Sequence, residues 1–420
     1  MLLWQAKRLA FEPLALHEPD VSVPWMNQPG GSLNYDIVIV GGGVIGSSIA
    51  YHLAAAGQRS VLVIERDLTY ARASSALSAS SIRQQFVTPA CIRMSQFSFD
   101  FLRNLSEHLS VADERVELPL VERGYLYLAD AARARSLAEA IAVQQAHQVP
   151  VLSLEREPLA QRFPWLHCAD IELAALGTAG EGWFDGYTLL QAFRRKARQL
   201  GVEYLQEEVA GLLQQGSRVS GVRLSNGTSI GAAVVVNAAG PHSAGIAASA
   251  GFFLPVRPER RCIFAFSCPE NLDFIPLVID PSGLWVRPEG RLFIAGGPAT
   301  PIIGPDPLTL DVDYSQFEDF IWPVLAERIP AFESIKMTSA WAGHYEMNLF
   351  DHNALIGWTP GVSGLVLATG FSGHGMQHSP AAGRGIAELI IQGRYLTLDL
   401  SELSPERLVR NQPIVEANII

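Results

Sequence analysis

The chain has 420 residues, 48% of them apolar and 17% charged, and a formal net charge of −11. Such a length and apolar share suit a globular protein with a large core built from two intertwined domains, and the acidic balance argues against nucleic acid as a partner, which needs a basic surface. The four cysteines (Cys91, Cys168, Cys262, Cys268) show no CxxC spacing, so a disulfide framework is not expected and a reducing, cytoplasmic compartment is.

No apolar run is long enough to span a membrane. Residues 1–34 read as an N-terminal arm. MLLWQAKRLAFEPLALHE has amphipathic helix character, prolines then break it, and the long apolar region of a signal peptide is lacking. A peripheral membrane contact or a subunit contact in an oligomer is the sharper alternative for this arm.

Next, Tyr35 to Val40 is a β-branched apolar run, expected as a strand buried on both faces. Gly41-Gly42-Gly43-Val44-Ile45-Gly46 follows, then a helical stretch to Ala56, then a second buried strand, Ser60 to Ile64, ending on Glu65. This is the strand, GxGxxG, helix, strand, acid pattern of a dinucleotide site. Gly41 permits the turn, Gly43 lets a pyrophosphate reach the backbone, and Gly46 lets helix pack on strand. The helix start at Val44 and Ile45 offers amides and a favourable dipole to phosphate. Glu65, 19 residues past Gly46, stands where a carboxylate holds ribose hydroxyls. Arg66 beside it could meet a 2′-phosphate, so the motif alone leaves FAD and NAD open.

Further along come a small-residue loop from Ser74 through Ser75 and Ser80 to Arg83, a strand at Gly124–Leu128 and a helix at Tyr187–Leu200 with Leu189, Leu190 and Phe193 inward. Ala233 to Val236 reads as another buried strand, ending in the turn Ala238-Ala239-Gly240. The basic runs Arg194-Arg195-Lys196 and Arg260-Arg261 read as solvated faces, and Leu292–Ala295 as a strand. Near the end, the apolar run 364–369 leads into GFSGHGMQHSP, a glycine elbow ahead of a helix expected at Ala381–Gln392. His344, Glu346, Asp351 and His352 fit no metal-ligand spacing, so no metal is expected.

Together, Gly41–Glu65, the Ser74–Arg83 loop and the Ala233–Pro241 strand and turn resemble the D-amino-acid oxidase (DAO) family of FAD enzymes, which includes sarcosine and glycine oxidases and dimethylglycine dehydrogenases. The likeness spans roughly residues 35–395. It implies an α/β fold: a Rossmann-type FAD-binding domain with an inserted substrate domain containing a mixed or antiparallel sheet. The expected division is 35–100, 185–250 and 340–400 for the FAD domain, 101–184 and 251–339 for the substrate domain, and 401–420 as a C-terminal tail.

The resemblance also implies site residues. Gly370, Gly373, His374, Gly375, Met376 and Gln377 would wrap the flavin ring. Ala238, Ala239 and Gly240 would lie against phosphate and ribose, Val209 against adenine, and Ser74, Ser75 and Ser80 along pyrophosphate and flavin. Gly343 stands where cysteine-linked members attach flavin, and residues 66–90 hold no histidine, so FAD should be non-covalent. The family's sarcosine oxidases use lysines to activate oxygen and to hold substrate carboxylate. This chain has only Lys7, Lys196 and Lys336, and Gln377 replaces the carboxylate-binding lysine.

The expected activity is therefore dehydrogenation of an amino acid or N-substituted amino acid by hydride transfer to flavin N5. Electrons would pass to a protein or quinone rather than to oxygen. Arg83 and Arg287 are the candidate anchors for a carboxylate-bearing substrate, with Tyr345, His344 and Gln377 beside it. Two alternatives stand. TYARASSALSASSIRQQF, GFSGHGMQHSP and the tail EANII resemble a branch of the family linked to assembly of respiratory complex I, which implies a flavoprotein acting mainly as a binding factor. The fold also supports 2-hydroxy acid dehydrogenases.

Overall fold

A computed structural model describes residues 34–112, 114–272, 274–301 and 306–417. The expected N-terminal arm, apart from Asn34, lies outside them. Strand Asn34–Val40 sits between parallel partners Val61–Glu65 and Ser229–Asn237. Glu203–Gln206 continues the parallel sheet beyond Val61–Glu65, and Leu365–Thr369 continues it on the other side. The alternation of a strand explains the β-branched run. Ile37 and Ile39 pack with the helices on one face, and Val38 and Val40 pack on the other with the antiparallel ribbon formed by Val209–Gln215 and Arg218–Leu224. With both faces covered, no polar position remains in the strand interior.

A second eight-stranded sheet runs from Lys336–Asn348 through Val256–Ser267, Leu292–Gly296, Trp285–Glu289, Leu277–Ile279, Tyr125–Ala129 and Leu173–Gly177 to Val151–Glu155. It is antiparallel except where Leu277–Ile279 pairs in parallel with Tyr125–Ala129. One face carries Leu126, Phe264, Phe266 and Val286 into a core beneath helices. The other carries Tyr125, Tyr127, Ile263, Leu277 and Trp285.

Two of the expected boundaries fall inside elements. Strand Lys336–Asn348 pairs with Val256–Ser267 along its whole length, so a cut at 340 divides a strand of the second sheet. Helix Pro89–Arg103 packs on helix Gly375–Gln392 and runs through the expected cut at 100. The last long helix also begins earlier than Ala381: it spans Gly375–Gln392 with Pro380 inside it. Pro380 has no N–H to give the Met376 carbonyl, but the Ser379 hydroxyl donates to that carbonyl at 3.0 Å, so the helix continues past the proline. Among the described residues no helix is long and apolar enough to cross a membrane.

The expected C-terminal tail is tied down. Arg407 donates to Asp351 through Nε at 2.7 Å and through Nη2 at 3.0 Å, and to the carbonyls of Asn353 and Ala354. Glu416 accepts from the amides of Val87 and Thr88 at the start of helix Pro89–Arg103. Both members of the Asp351–Arg407 pair are buried, so removing one strands the other charge in the interior. Asp351→Ala is expected to cost about 3–5 kcal/mol of stability. The urea midpoint of the variant reads this out, and an unchanged midpoint would show the pair to be dispensable.

Candidate functional site

A single continuous cleft lies between the two sheets. At one end it is lined by Gly41, Gly43, Val44, Ile45, Glu65, Arg66 and the turn Ala238–Gly240. The backbone here is set by contacts that exclude any side chain. A Cβ on Gly46 would stand 1.9 Å from the Gly41 carbonyl oxygen, and one on Gly41 (φ +98°) would stand 2.4 Å from the Ala238 carbonyl oxygen. Gly43 differs, because its Cβ position meets only Ser75 Oγ, at 3.2 Å, so this backbone faces the cleft. Glu65 braces the turn: Oε2 accepts from Gly42 N at 2.8 Å and Oε1 from Asp67 N at 3.0 Å. Ser75 Oγ accepts from Val44 N at 3.0 Å, capping the helix start.

Midway, Ser74, Ser75 and Ser80 line one wall, and Gly343, His344 and Tyr345 line the other. The glycine elbow closes the cleft. Gly373, at φ +90°, would push a Cβ to 2.4 Å from the Tyr345 ring, so Gly373 and Tyr345 touch because there is no side chain between them. Gly373, His374, Gly375, Met376 and Gln377 all line the cleft. Gly370 does not, nor do Gly46 and Val209. Gly370 packs under Asn348 and Val256, Gly46 packs on Gly41, and Val209 begins the antiparallel ribbon behind the first sheet.

At the far end stands Arg83, almost fully buried. Its Nη1 donates to Tyr127 Oη at 2.6 Å, and its Nη2 lies 3.1 Å from His374 Nε2. Arginine has no acceptor, so His374 Nε2 accepts and the ring carries its proton on Nδ1. Burial, then the neighbouring Arg83 charge, pushes the His374 pKa well below the ordinary histidine range, which keeps the ring neutral. The Phe86 ring lies under the guanidinium, 4.4 Å from centroid to Cζ. Gln377 Oε1 accepts from the Arg83 backbone amide at 2.8 Å; its amide oxygen fixes the arginine segment.

Three arginines are not where the sequence suggests. Arg287 is absent from the cleft wall: its guanidinium donates to the carbonyls of Ala79 and Pro288, pairs with Glu289 and stacks on Trp183. That guanidinium is spent bracing the loop before Arg83. The Arg260-Arg261 run, expected as a solvated face, lies on strand Val256–Ser267, where it pairs with His344 and Gly343 of strand Lys336–Asn348. Arg260 is buried, and Arg261 lines the cleft with its guanidinium over the Tyr345 ring. His344 lines the cleft but donates from Nε2 to the Thr309 carbonyl at 3.1 Å, and burial lowers its pKa. Tyr125, Cys262, Ile263, Leu277 and Trp285 complete a largely apolar wall beside Arg83. Glu346, named in the sequence only among residues that fit no metal-ligand spacing, also lines the cleft.

The family model for FAD dependent oxidoreductase (DAO) matches residues 36–389. FAD-dependent oxidoreductase domain-containing protein 1 of Xenopus laevis is 42% identical, aligned over 92% of this chain and 85% of its own. Glycine oxidase of Pseudomonas aeruginosa is 28% identical, over 88% of this chain and 98% of its own. The crystal structure of L-proline dehydrogenase from P. horikoshii superposes with a TM-score of 0.80 at 27% identity, covering 91% of this chain and 100% of that one. The cleft fits FAD on its own residues. The open backbone at Gly43 with the helix amides behind it suits a pyrophosphate, Glu65 suits a ribose, and the side-chain-free contact at Gly373 leaves flat space beside Tyr345.

Gly373→Ala tests that contact. The added methyl must displace the Tyr345 ring, and the residue must hold a left-handed backbone at a cost of about 1–2 kcal/mol. FAD affinity, read by quenching of flavin fluorescence on titration into FAD-free protein, is expected to fall about tenfold or more. Undiminished affinity would place the flavin elsewhere.

Proposed function

The chain belongs to the FAD-dependent oxidoreductases of the DAO family, and on that premise we propose that it dehydrogenates an amino acid or an N-substituted amino acid, with an electron acceptor other than oxygen. One observation carries the reading: a buried guanidinium, Arg83, at the end of the cleft lined by the glycine elbow. A planar fork held by Tyr127 and by neutral His374 is a preorganised receptor for a carboxylate. In a site with little water this contact is far stronger than on the surface.

FAD, when bound, supplies the hydride acceptor, and the residues from Gly41 to Glu65, 238–240, 343–345 and 373–377 would hold it without a covalent bond. The protein's own contribution is positioning. Arg83 fixes the carboxylate and so limits where the adjacent α-carbon can lie. Tyr125, Ile263, Leu277 and Trp285 exclude water and receive the apolar body of the substrate. An amine that arrives neutral needs no base when hydride leaves, and His374, kept neutral and engaged with Arg83, is placed to position rather than to take a proton.

No lysine lines the cleft among the described residues. The oxygen-activating lysine of related oxidases thus has no counterpart in the wall, which supports an acceptor such as a quinone or a redox protein.

Anaerobic visible spectra test the reading. Amino acids or N-methyl amino acids are expected to bleach the long-wavelength flavin band, with slow re-oxidation in air. Arg83→Met should keep FAD and lose about 3 kcal/mol of substrate binding, roughly a hundredfold in apparent affinity, with Arg83→Lys between. Bleaching by 2-hydroxy acids alone would move the substrate class. Retained flavin that no candidate bleaches would favour the binding-factor reading.

A further inference from the structure

Among the described residues Glu346 is the one carboxyl that lines the flavin end of the cleft, and substrate dehydrogenation as set out above does not use it. It lies on strand Lys336–Asn348, opposite Pro258. Its Oε2 accepts from Thr369 Oγ1 at 2.8 Å and from Gly370 N at 3.1 Å, so both lone pairs of that oxygen are engaged. Thr369 Oγ1 in turn lies 2.6 Å from Ser243 Oγ. Thr369 has one hydroxyl proton; when it donates to Glu346, Ser243 donates to it. A proton added to the carboxyl therefore settles on Oε1. That oxygen lies 3.9 Å from the Cβ position of Gly375, the first residue of the helix that follows the glycine elbow. Protonated, Glu346 presents a donor at the elbow; ionised, it presents an acceptor and a full negative charge.

Burial pushes the Glu346 carboxyl up to about 7, while the Thr369 hydroxyl and the amides of Gly370 and Phe371 hold it down. Its titratable and charged surroundings are His344 and Tyr345 on its own strand, Arg257, Glu259 and Arg260 on the paired strand, Arg261 over Tyr345, His242 on the turn after Ala239, and His374 in the elbow. Strand Leu365–Thr369 brings none. No neighbouring charge is among the causes of the shift; the carboxyl responds to burial and hydrogen bonds, and hence to any charge newly placed in the cleft.

We propose that Glu346 is the proton-coupling group of the flavin site, taking up one solvent proton when the bound cofactor gains two electrons and releasing it when the cofactor is re-oxidised. A bound flavin, on accepting hydride, would carry one added hydrogen and one added negative charge. An ionised Glu346 in the same low-dielectric cleft would repel that charge, so its proton affinity rises on reduction. The proton comes from solvent and neutralises the charge within the protein, so no further reductant or oxidant is required. The inference rests on the flavin reading of the cleft and is independent of the substrate.

The sign fixes the window. Below about pH 7 Glu346 is protonated in both redox states and contributes nothing. Above that, and below its raised value in the reduced state, reduction carries one extra proton. Each proton taken up with two electrons makes the reduction equilibrium change tenfold per pH unit, and two protons make it a hundredfold.

Equilibrium redox titration of the holoprotein against a reference dye, across roughly pH 6 to 9 and without substrate, reads this directly. The wild type is expected to steepen from tenfold to hundredfold per pH unit above neutrality, and Glu346→Gln to stay at tenfold. A wild type that is tenfold throughout, or a Glu346→Gln variant that keeps the steep region, overturns the proposal. Should Glu346→Gln fail to hold FAD, Thr369→Val serves. Losing a donor to the carboxylate must shift the onset of steepening to higher pH, and an unmoved onset is equally fatal. Because no substrate is present, failure here leaves the amine reading standing, whereas a purified protein without a flavin band would defeat both.

Discussion

The cleft depends on backbone meeting neighbouring groups at distances that no side chain permits. Gly46 rests on the Gly41 carbonyl, Gly41 on the Ala238 carbonyl, and Gly373 on the Tyr345 ring, each at a separation well under 3 Å from where a Cβ would be. The first two set the spacing between the end of strand Asn34–Val40, its helix and the turn after strand Ser229–Asn237. The third joins the two halves of the molecule, since Gly373 follows a strand of the first sheet and Tyr345 belongs to the second. Hard-core repulsion therefore fixes the width of the cleft, and hydrogen bonds such as Gly42 N to Glu65 only hold the pieces at that limit.

The same locality decides what the sequence can reveal. Strand, glycine turn, helix, strand and acid are contiguous from Tyr35 to Glu65, and each step demands a residue type, so the dinucleotide half is legible. The glycine elbow after Thr369 is legible for the same reason. The wall opposite is not. Strand Val256–Ser267 opens VRPERR, which looks like surface; Arg257 is indeed exposed, but Arg260 is buried and Arg261 half-buried because Lys336–Asn348, far away in the chain, pairs along the whole strand. Arg261 and Arg287 carry the same chemistry on nearby strands, and only the register of the second sheet and the capture of Arg287 by Ala79 and Glu289 decide which one reaches the cleft. The early helix start at Gly375 was masked by Pro380, because the compensating Ser379 hydroxyl leaves no periodic signal.

Burying Arg83 requires a rigid segment around it, and two distant carboxylates provide one. Glu181 accepts from the amides of Gln84, Gln85 and Tyr125 at 2.7, 3.1 and 3.1 Å. It thereby ties the residues after Arg83 to the strand that carries Tyr127. Glu416, from the C-terminal end, accepts from Val87 and Thr88. Backbone amides that would otherwise be orphaned at a helix start are satisfied, and both carboxylates lie where amide dipoles favour them. Glu181 is wholly buried, and its carboxyl is pushed up by burial and drawn back by these amides. The links span from 56 residues, for Glu181 to Tyr125, to 329, for Glu416 to Val87, so none could be read from local pattern.

Whole-chain charge and local charge point in opposite directions, and the contrast bears on what the cleft selects. The chain carries −11, yet among the described residues the cleft wall holds four arginines (Arg66, Arg72, Arg83, Arg261) against three carboxylates (Glu65, Asp67, Glu346). Those carboxylates are largely occupied. Glu65 is bonded to Gly42 and Asp67 amides, Asp67 to Thr69, and Glu346 to Thr369 and Gly370. An acidic exterior repels polyanions, while the low-dielectric cleft concentrates a positive field on small ones. Such a field suits the pyrophosphate of FAD and the carboxylate-bearing substrate proposed above. Were a bound flavin to gain negative charge on reduction, that field and the Glu346 carboxyl proposed above to take up a proton would act together, the arginines admitting anions and the carboxyl offsetting the charge the electrons add.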